Sequence, residues 1–300
     1  MVLDSSLELI GNTPLVRLKN IERLHSLDCK IYAKVEKGSL TGSIKDRAVL
    51  NMLIDYQERG IVKKGSTIIE ATSGNTGIAL SALGAYFGYN IIIVMPSSMS
   101  LERRKMILAY NAKLVLVDGG MNECNLKAQE LNKEIEGSII FGQFDSIKNP
   151  EAHYLNTGKE IHEDLEDVDY IFAGIGTGGT ISGIGKYYKE HKLDTKIIGI
   201  EPYESPLISE GRSGKHLIQG IGANFIPHTF LKEYVDEVVT LKGQEAIEEA
   251  REIAANEGLL VGISSGCNLK AALNYIKKHD LHNKVIVVIF VDTGERYSWN

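Results

Sequence analysis

Short apolar runs alternate with helix-like segments along most of this chain, and that alternation limits the fold more than any other feature. IYAKVE (31–36), STIIEA (66–71), NIIIVMP (90–96), KLVLVD (113–118), SIIFGQF (138–144), DYIFAGI (169–175), TKIIGIEP (195–202) and KVIVVIFVD (284–292) read as strands, and EYVDEVVTL (233–241) as a strand region. Helical patterns separate them. Residues 44–59 carry apolar positions at 44, 48, 49, 50, 52, 53 and 54, a broad helix face that ends at Gly60. Further helices are expected over 77–87, 100–111, 124–135, 150–165, 180–191, 243–258 and 264–279. The first 40 residues read as strand and turn signals, with a turn at GNTP (11–14). Strands apolar on both faces need cover on both faces, and the intervening helices supply it, so the fold class is α/β with mostly parallel sheet. Nine or ten strands are more than one compact sheet holds comfortably in 300 residues. Two α/β domains are therefore expected, with a seam near residues 145–155 and the site in the cleft between them.

Composition narrows the function. The formal net charge of -6 suits a soluble protein and argues against general nucleic-acid binding. Arg103, Arg104 and Lys105 form a short basic cluster offset by nearby acids, as on a solvated helix face. Cys29, Cys124 and Cys267 form no CxxC or CxxH pair, which fits a reducing compartment. The N-terminal stretch lacks the pattern of a secretory signal, and no window reaches 18 apolar residues. The expectation is a cytoplasmic protein with no membrane span.

Four segments lie where strands end or helices begin: TGSIKDR (41–47), TSGNTG (72–77), GIGTGGT (174–180) and GISSG (262–266). In open α/β sheets ligands bind outside the carboxyl ends of the strands. GTGGT suits a phosphate: glycines let successive N–H groups converge, and the following helix adds its positive end. Thr177 and Thr180 flank it with hydroxyls. No lysine follows the last glycine, so the segment is not a P-loop. Gly174, Gly176 and Gly179 match GxGxxG, but the nearest acid at the ribose spacing, Asp194, precedes its strand. TSGNTG pairs a helix start with short donors and acceptors, which suits a carboxylate or an ordinary N-capping turn.

Lys45 starts a helix, where the dipole disfavours its charged form and burial would lower its pKa further. Such a lysine can form a Schiff base with an aldehyde; a solvated helix lysine is the other reading. Asp46 and Arg47 would tie the helix start to its surroundings. Ser264 or Ser265 could hydrogen-bond a ring nitrogen. The eight histidines form no metal spacing, GxSxG is absent, and no calcium loop is present, so no metal is expected.

Taken together, the chain resembles the cysteine synthase (O-acetylserine sulfhydrylase) family, fold type II pyridoxal-phosphate enzymes with a tryptophan synthase β-like architecture. The resemblance rests on LELIGNTPLVRL, KDR, TSGNTGIALS, MPSSMSLERR, PEAHYLNTGKEI, GIGTGGTISGIGKY, IGIEPYESP, IQGIGANFIP, GISSG and DTGERY. It implies two open, mostly parallel twisted sheets flanked by helices. It also implies a smaller, mobile substrate-clamping domain (1–12 and 35–150) and a larger phosphate-binding domain (13–34 and 151–300). Lys45 is similar to the lysine that bonds C4′ of pyridoxal 5′-phosphate and later serves as base. Asn75 would meet the ring hydroxyl, Gly176, Thr177, Gly178, Gly179 and Thr180 the phosphate, and Ser264 the pyridine nitrogen. Thr72, Ser73, Asn75 and Thr76 resemble the loop that grips the substrate α-carboxylate, with Gln143 closing on it.

The implied reaction is β-replacement on a small amino acid: O-acetyl-L-serine and sulfide to L-cysteine and acetate, through an aminoacrylate. Alternatives are release of hydrogen sulfide from L-cysteine, with lanthionine or serine as co-product, and other β-replacements such as those on O-phosphoserine or of a diaminopropionate-type synthase. From other classes, a silent binding protein is opposed by Lys45, and a nucleotide-binding oxidoreductase rests only on GxGxxG. The resemblance further implies a homodimer and association with serine acetyltransferase. The lead-in GSLTGSIKDR, Ser146 after QFD, and Asn224 in GIGANF depart from the family pattern, and they leave the leaving group and nucleophile open.

Overall fold

The structure, a computed structural model, describes residues 2–72 and 74–299. Ten strands run in order along the chain: β1 (Leu15–Arg17), β2 (Lys30–Val35), β3 (Thr67–Ala71), β4 (Asn90–Pro96), β5 (Lys113–Val117), β6 (Ile139–Ile140), β7 (Tyr170–Gly174), β8 (Lys196–Pro202), β9 (Glu237–Leu241) and β10 (Val285–Phe290). They form two sheets, one of six strands ordered β1-β2-β10-β7-β8-β9 and one of four ordered β5-β4-β3-β6. Among the strand pairs of the described residues, β1–β2 is antiparallel and the rest are parallel. The expected α/β class with two mostly parallel sheets is what the chain adopts.

The helices are α1 (Lys19–Leu24), α2 (Lys45–Glu58), α3 (Asn75–Phe87), α4 (Leu101–Ala109), α5 (Met121–Glu134), α6 (Lys148–Ala152), α7 (Lys159–Asp164), α8 (Gly179–Glu190), α9 (Leu207–Glu210), α10 (Gly243–Glu257) and α11 (Ile263–Lys278). Strand alternation sorts the core. In the six-stranded sheet, Phe172, Ile198, Ile286 and Val288 pack towards α10 and α11, while Ile171, Ile197, Val287 and Ile289 pack towards α8. In the four-stranded sheet, Ile68, Ile91 and Ile93 meet α2 and α3, and Ile69, Ile92 and Val94 meet α5. Each sheet is thus apolar on both faces, which is why its strands read as continuous runs.

Three local expectations are corrected. The first 40 residues contain the short helix α1, whose Ile21 is fully buried. The strand expected over 138–144 is only β6, because Gly142 turns the chain at φ +73°. The single helix expected over 150–165 is α6 and α7 joined by a π-helical stretch, His153–Gly158. There α8 packs so closely that a Cβ on Gly158 would lie 2.9 Å from Tyr187.

α2 is held at its start by buried charge. Asp46 accepts from the backbone N–H of Thr41 at 2.7 Å. The Arg47 guanidinium donates to Glu36 at 2.8 Å, to Thr13 at 3.0 Å and to Glu160 at 2.6 Å. These anchors fix the first turn of α2 and with it Lys45.

Candidate active site

The carboxyl ends of both sheets open on one cavity of about 450 Å³, within the ordinary range for a small-molecule site. It is lined by Lys45, Thr72, Asn75, Thr76, Gln143, Gly176, Thr177, Gly178, Thr180 and Ser264. The sequence-predicted residues therefore converge, although they span 45 to 264 in the chain. Ser73 lies outside the described residues. Gly179 does not line the cavity: it faces Asn149, whose Oδ1 would lie 2.0 Å from an added Cβ.

Lys45 is the first residue of α2 and is partly buried at the cavity floor. Burial lowers its pKa, and the charge of Asp292 opposes this only partly. Its ammonium makes no ion pair among the described residues. Lys34 is the instructive contrast: it is fully buried, but it is held by Glu160 at 2.9 Å and by the Thr13 carbonyl at 2.6 Å.

GTGGT follows β7 and opens α8. Gly178 has φ +80°, and a Cβ there would stand 2.6 Å from Phe230. A Cβ on Gly176 would stand 2.2 Å from the Gly220 carbonyl. Glycine is therefore required at both. The N–H groups of Gly176, Thr177 and Gly178 make no hydrogen bond to another described residue. Thr180 reaches the His153 ring at 3.2 Å. Burial first, and then the charges of Arg47 and Lys45, push the pKa of His153 well below its usual value, so the ring is neutral.

At the other wall, Thr72 Oγ1 accepts from Gly74 N at 3.3 Å. Asn75 Nδ2 donates to Asp292 at 2.7 Å, and Arg296 donates to Asn75 Oδ1 at 2.5 Å. Thr76 donates to Gln143 Oε1 at 2.6 Å, and Gln143 Nε2 donates to Glu70 at 2.8 Å. The two serines separate: Ser264 lines the cavity, whereas Ser265 Oγ accepts from Val291 N at 2.9 Å. Asn224 also lines the cavity; Ser146 does not, and lies beside Tyr56.

Glu70, Asp292 and Arg296 were given no role from sequence, and the reading of Arg103 as part of a solvated helix face is corrected, because it turns inward to the cavity wall. Arg103 is buried, bonds Gln219 and lies over the Tyr297 ring at 5.1 Å. Glu70 left a signal, as the one charge in an otherwise apolar strand run.

A family model described as pyridoxal-phosphate dependent enzyme matches residues 7–292. The chain belongs to that family. Pyridoxal phosphate is its cofactor, and the chain is an enzyme. This pyridoxal-phosphate enzyme is 46% identical over 293 residues to cysteine synthase B of Campylobacter jejuni, covering 97% of this chain and 95% of that one. Its fold matches a hydrogen sulfide-producing enzyme from Fusobacterium nucleatum with TM-score 0.94 and 40% identity, covering 99% of this chain and all (100%) of that one. It also matches a cysteine synthase from Entamoeba histolytica with TM-score 0.93 and 38% identity, covering 99% of this chain and 89% of that one.

The residues present fit the cofactor. Free backbone N–H groups at the start of α8 suit a phosphate, a desolvated lysine suits an aldehyde, and a neutral hydroxyl at Ser264 suits a pyridine nitrogen. Among the described residues no helix is long and apolar enough to cross a membrane.

Proposed function

We propose that this enzyme makes L-cysteine and acetate from O-acetyl-L-serine and sulfide. The observation that carries the reading is the facing of Lys45 against two polar cradles in one cavity, GTGGT and the Thr72–Thr76 turn with Gln143. The cysteine synthases among its relatives support it.

Bound here, pyridoxal phosphate supplies an electron sink for charge at the substrate α-carbon. The backbone N–H groups of Gly176, Thr177 and Gly178 and the hydroxyls of Thr177 and Thr180 would hold the phosphate. Lys45 Nζ would bond the cofactor aldehyde carbon, and Asn75 would meet the ring hydroxyl. Ser264 would meet the ring nitrogen, where its neutral hydroxyl would not keep a proton as a carboxylate would. Thr72, Asn75, Thr76 and Gln143 would grip the α-carboxylate. Lys45 Nζ, when not bonded to the cofactor, would take the substrate α-proton; its lowered pKa favours the neutral, accepting form. With that proton held on Lys45 Nζ, acetate would leave the β-carbon, sulfide would add there, and Lys45 would return the proton to the α-carbon.

Residues 1–12 and 35–150 would form the smaller domain that closes on the carboxylate, against a larger one of 13–34 and 151–300. The working form would be a cytoplasmic homodimer, with serine acetyltransferase as a protein partner.

A second reading is consumption of L-cysteine with release of hydrogen sulfide. One observation favours it: the likeness to the Fusobacterium enzyme. The test compares kcat/KM for O-acetylserine with sulfide against kcat/KM for cysteine alone, with products identified. The proposal expects the first to be larger; faster turnover of cysteine alone, with lanthionine or serine as co-product, overturns it.

A further inference from the structure

Glu70 stands in β3 among apolar neighbours and is only 3% exposed. It forms no ion pair among the described residues. Its carboxyl is held by amides: Gly142 N donates to one oxygen at 3.1 Å and Gln143 Nε2 to the other at 2.8 Å. Burial raises its pKa to about 7, and those hydrogen bonds only partly offset the rise. A buried carboxyl without a cation destabilises a core that an apolar side chain would fill better. Its presence calls for a role other than packing.

The geometry supplies one. An ionised carboxylate only accepts hydrogen bonds, so the Gln143 amide must turn its nitrogen towards Glu70. The amide oxygen then faces Thr76, whose hydroxyl donates to it at 2.6 Å. One Nε2 hydrogen remains, on a side chain that lines the cavity. A substrate carboxylate needs donors. Turned the other way, the amide would set its oxygen against Glu70 and take a donor from the substrate.

We propose that Glu70 is a positioning residue: it fixes the Gln143 amide so that nitrogen, not oxygen, is offered to the substrate α-carboxylate. The proposal rests on the reading above that Gln143 grips that group.

The test is a double-mutant cycle on the full-length holoenzyme at pH 8, where Glu70 is ionised. Glu70→Leu, Gln143→Ala and the double variant are compared after visible absorbance confirms equal cofactor loading. O-acetylserine is titrated without sulfide, and the change in visible absorbance gives an apparent Kd. Glu70→Leu is expected to raise Kd about tenfold when Gln143 is present and less than about twofold when it is alanine. Glu70→Gln keeps an acceptor, so the expected rise is about threefold with Gln143 and none without it. This second variant decides the matter if Glu70→Leu does not fold. An equal rise in both backgrounds means general disturbance and overturns the proposal. If Gln143→Ala weakens binding while both Glu70 variants leave it unchanged, only the Glu70 role falls. If Gln143→Ala itself has no effect, the carboxylate reading falls and the Glu70 role with it.

Discussion

Asn75 Nδ2 donates to Asp292 Oδ2 at 2.7 Å, joining the first turn of α3 to the segment after β10. Tyr297 donates to the same oxygen at 2.8 Å, and Arg296 donates to the carbonyl of Asn75. Asp292 and Arg296 thus fix which end of the Asn75 amide is oxygen and which is nitrogen. The nitrogen keeps one hydrogen for the cavity. Asp292→Ala should weaken cofactor affinity about tenfold, the effect of losing one oriented hydrogen bond. Titration of the apoenzyme with pyridoxal phosphate, read by absorbance, measures it. Unchanged affinity would mean that Asn75 does not meet the cofactor.

Gly178 tests the phosphate cradle. Its φ of +80° and the 2.6 Å approach to Phe230 leave no room for a side chain. Gly178→Asp would also bring a negative charge beside the N–H groups proposed to hold the phosphate. Cofactor retention after dialysis should fall by at least about tenfold. Retention like that of the parent would place the phosphate elsewhere.

Acid stability reports on the anchor of α2. Burial alone would raise the pKa of Glu160, but hydrogen bonds and charge from Arg47 and Lys34 outweigh it and hold the value at about 2. The sign follows. The group is more acidic folded than unfolded, so its contribution is full above the unfolded value of 4.5 and is lost as pH falls towards about 2. Its size is about 3 kcal/mol. Glu160→Gln should remove that contribution and flatten the acid limb of a stability-versus-pH curve, read by urea unfolding between about pH 5 and pH 3. A parallel limb in parent and variant would contradict the assignment. Arg47→Ala should be costlier, about 3–5 kcal/mol, because it leaves buried Glu36 without its guanidinium.

Much of this was legible in the sequence because buried strands and amphipathic helices leave periodic traces. The glycines of GTGGT were legible for a related reason: no other residue fits where the backbone turns at φ +80°. Lys45 stood out through TGSIKDR, and its anchors Asp46 and Arg47 act as expected. What escaped depends on contacts remote in sequence. The π-helical stretch exists because α8 packs against it, 29 residues from Gly158 in the case of Tyr187. Ser264 and Ser265 are equivalent until α11 is placed on the sheet. Ser146 departs from the family pattern but turns to Tyr56, whereas Asn224 meets the cavity. Glu70 and Asp292 act through the side chains they orient, and no local pattern marks such a role.

The central claim is that Lys45 carries the cofactor at the junction of these elements. Reduction of the purified holoenzyme with borohydride, followed by peptide mapping, tests it directly. A pyridoxyl label is expected on the peptide containing Lys45, and its loss, with the visible absorbance of that bond, in Lys45→Ala. A label on any other lysine, Lys34 included, would contradict it.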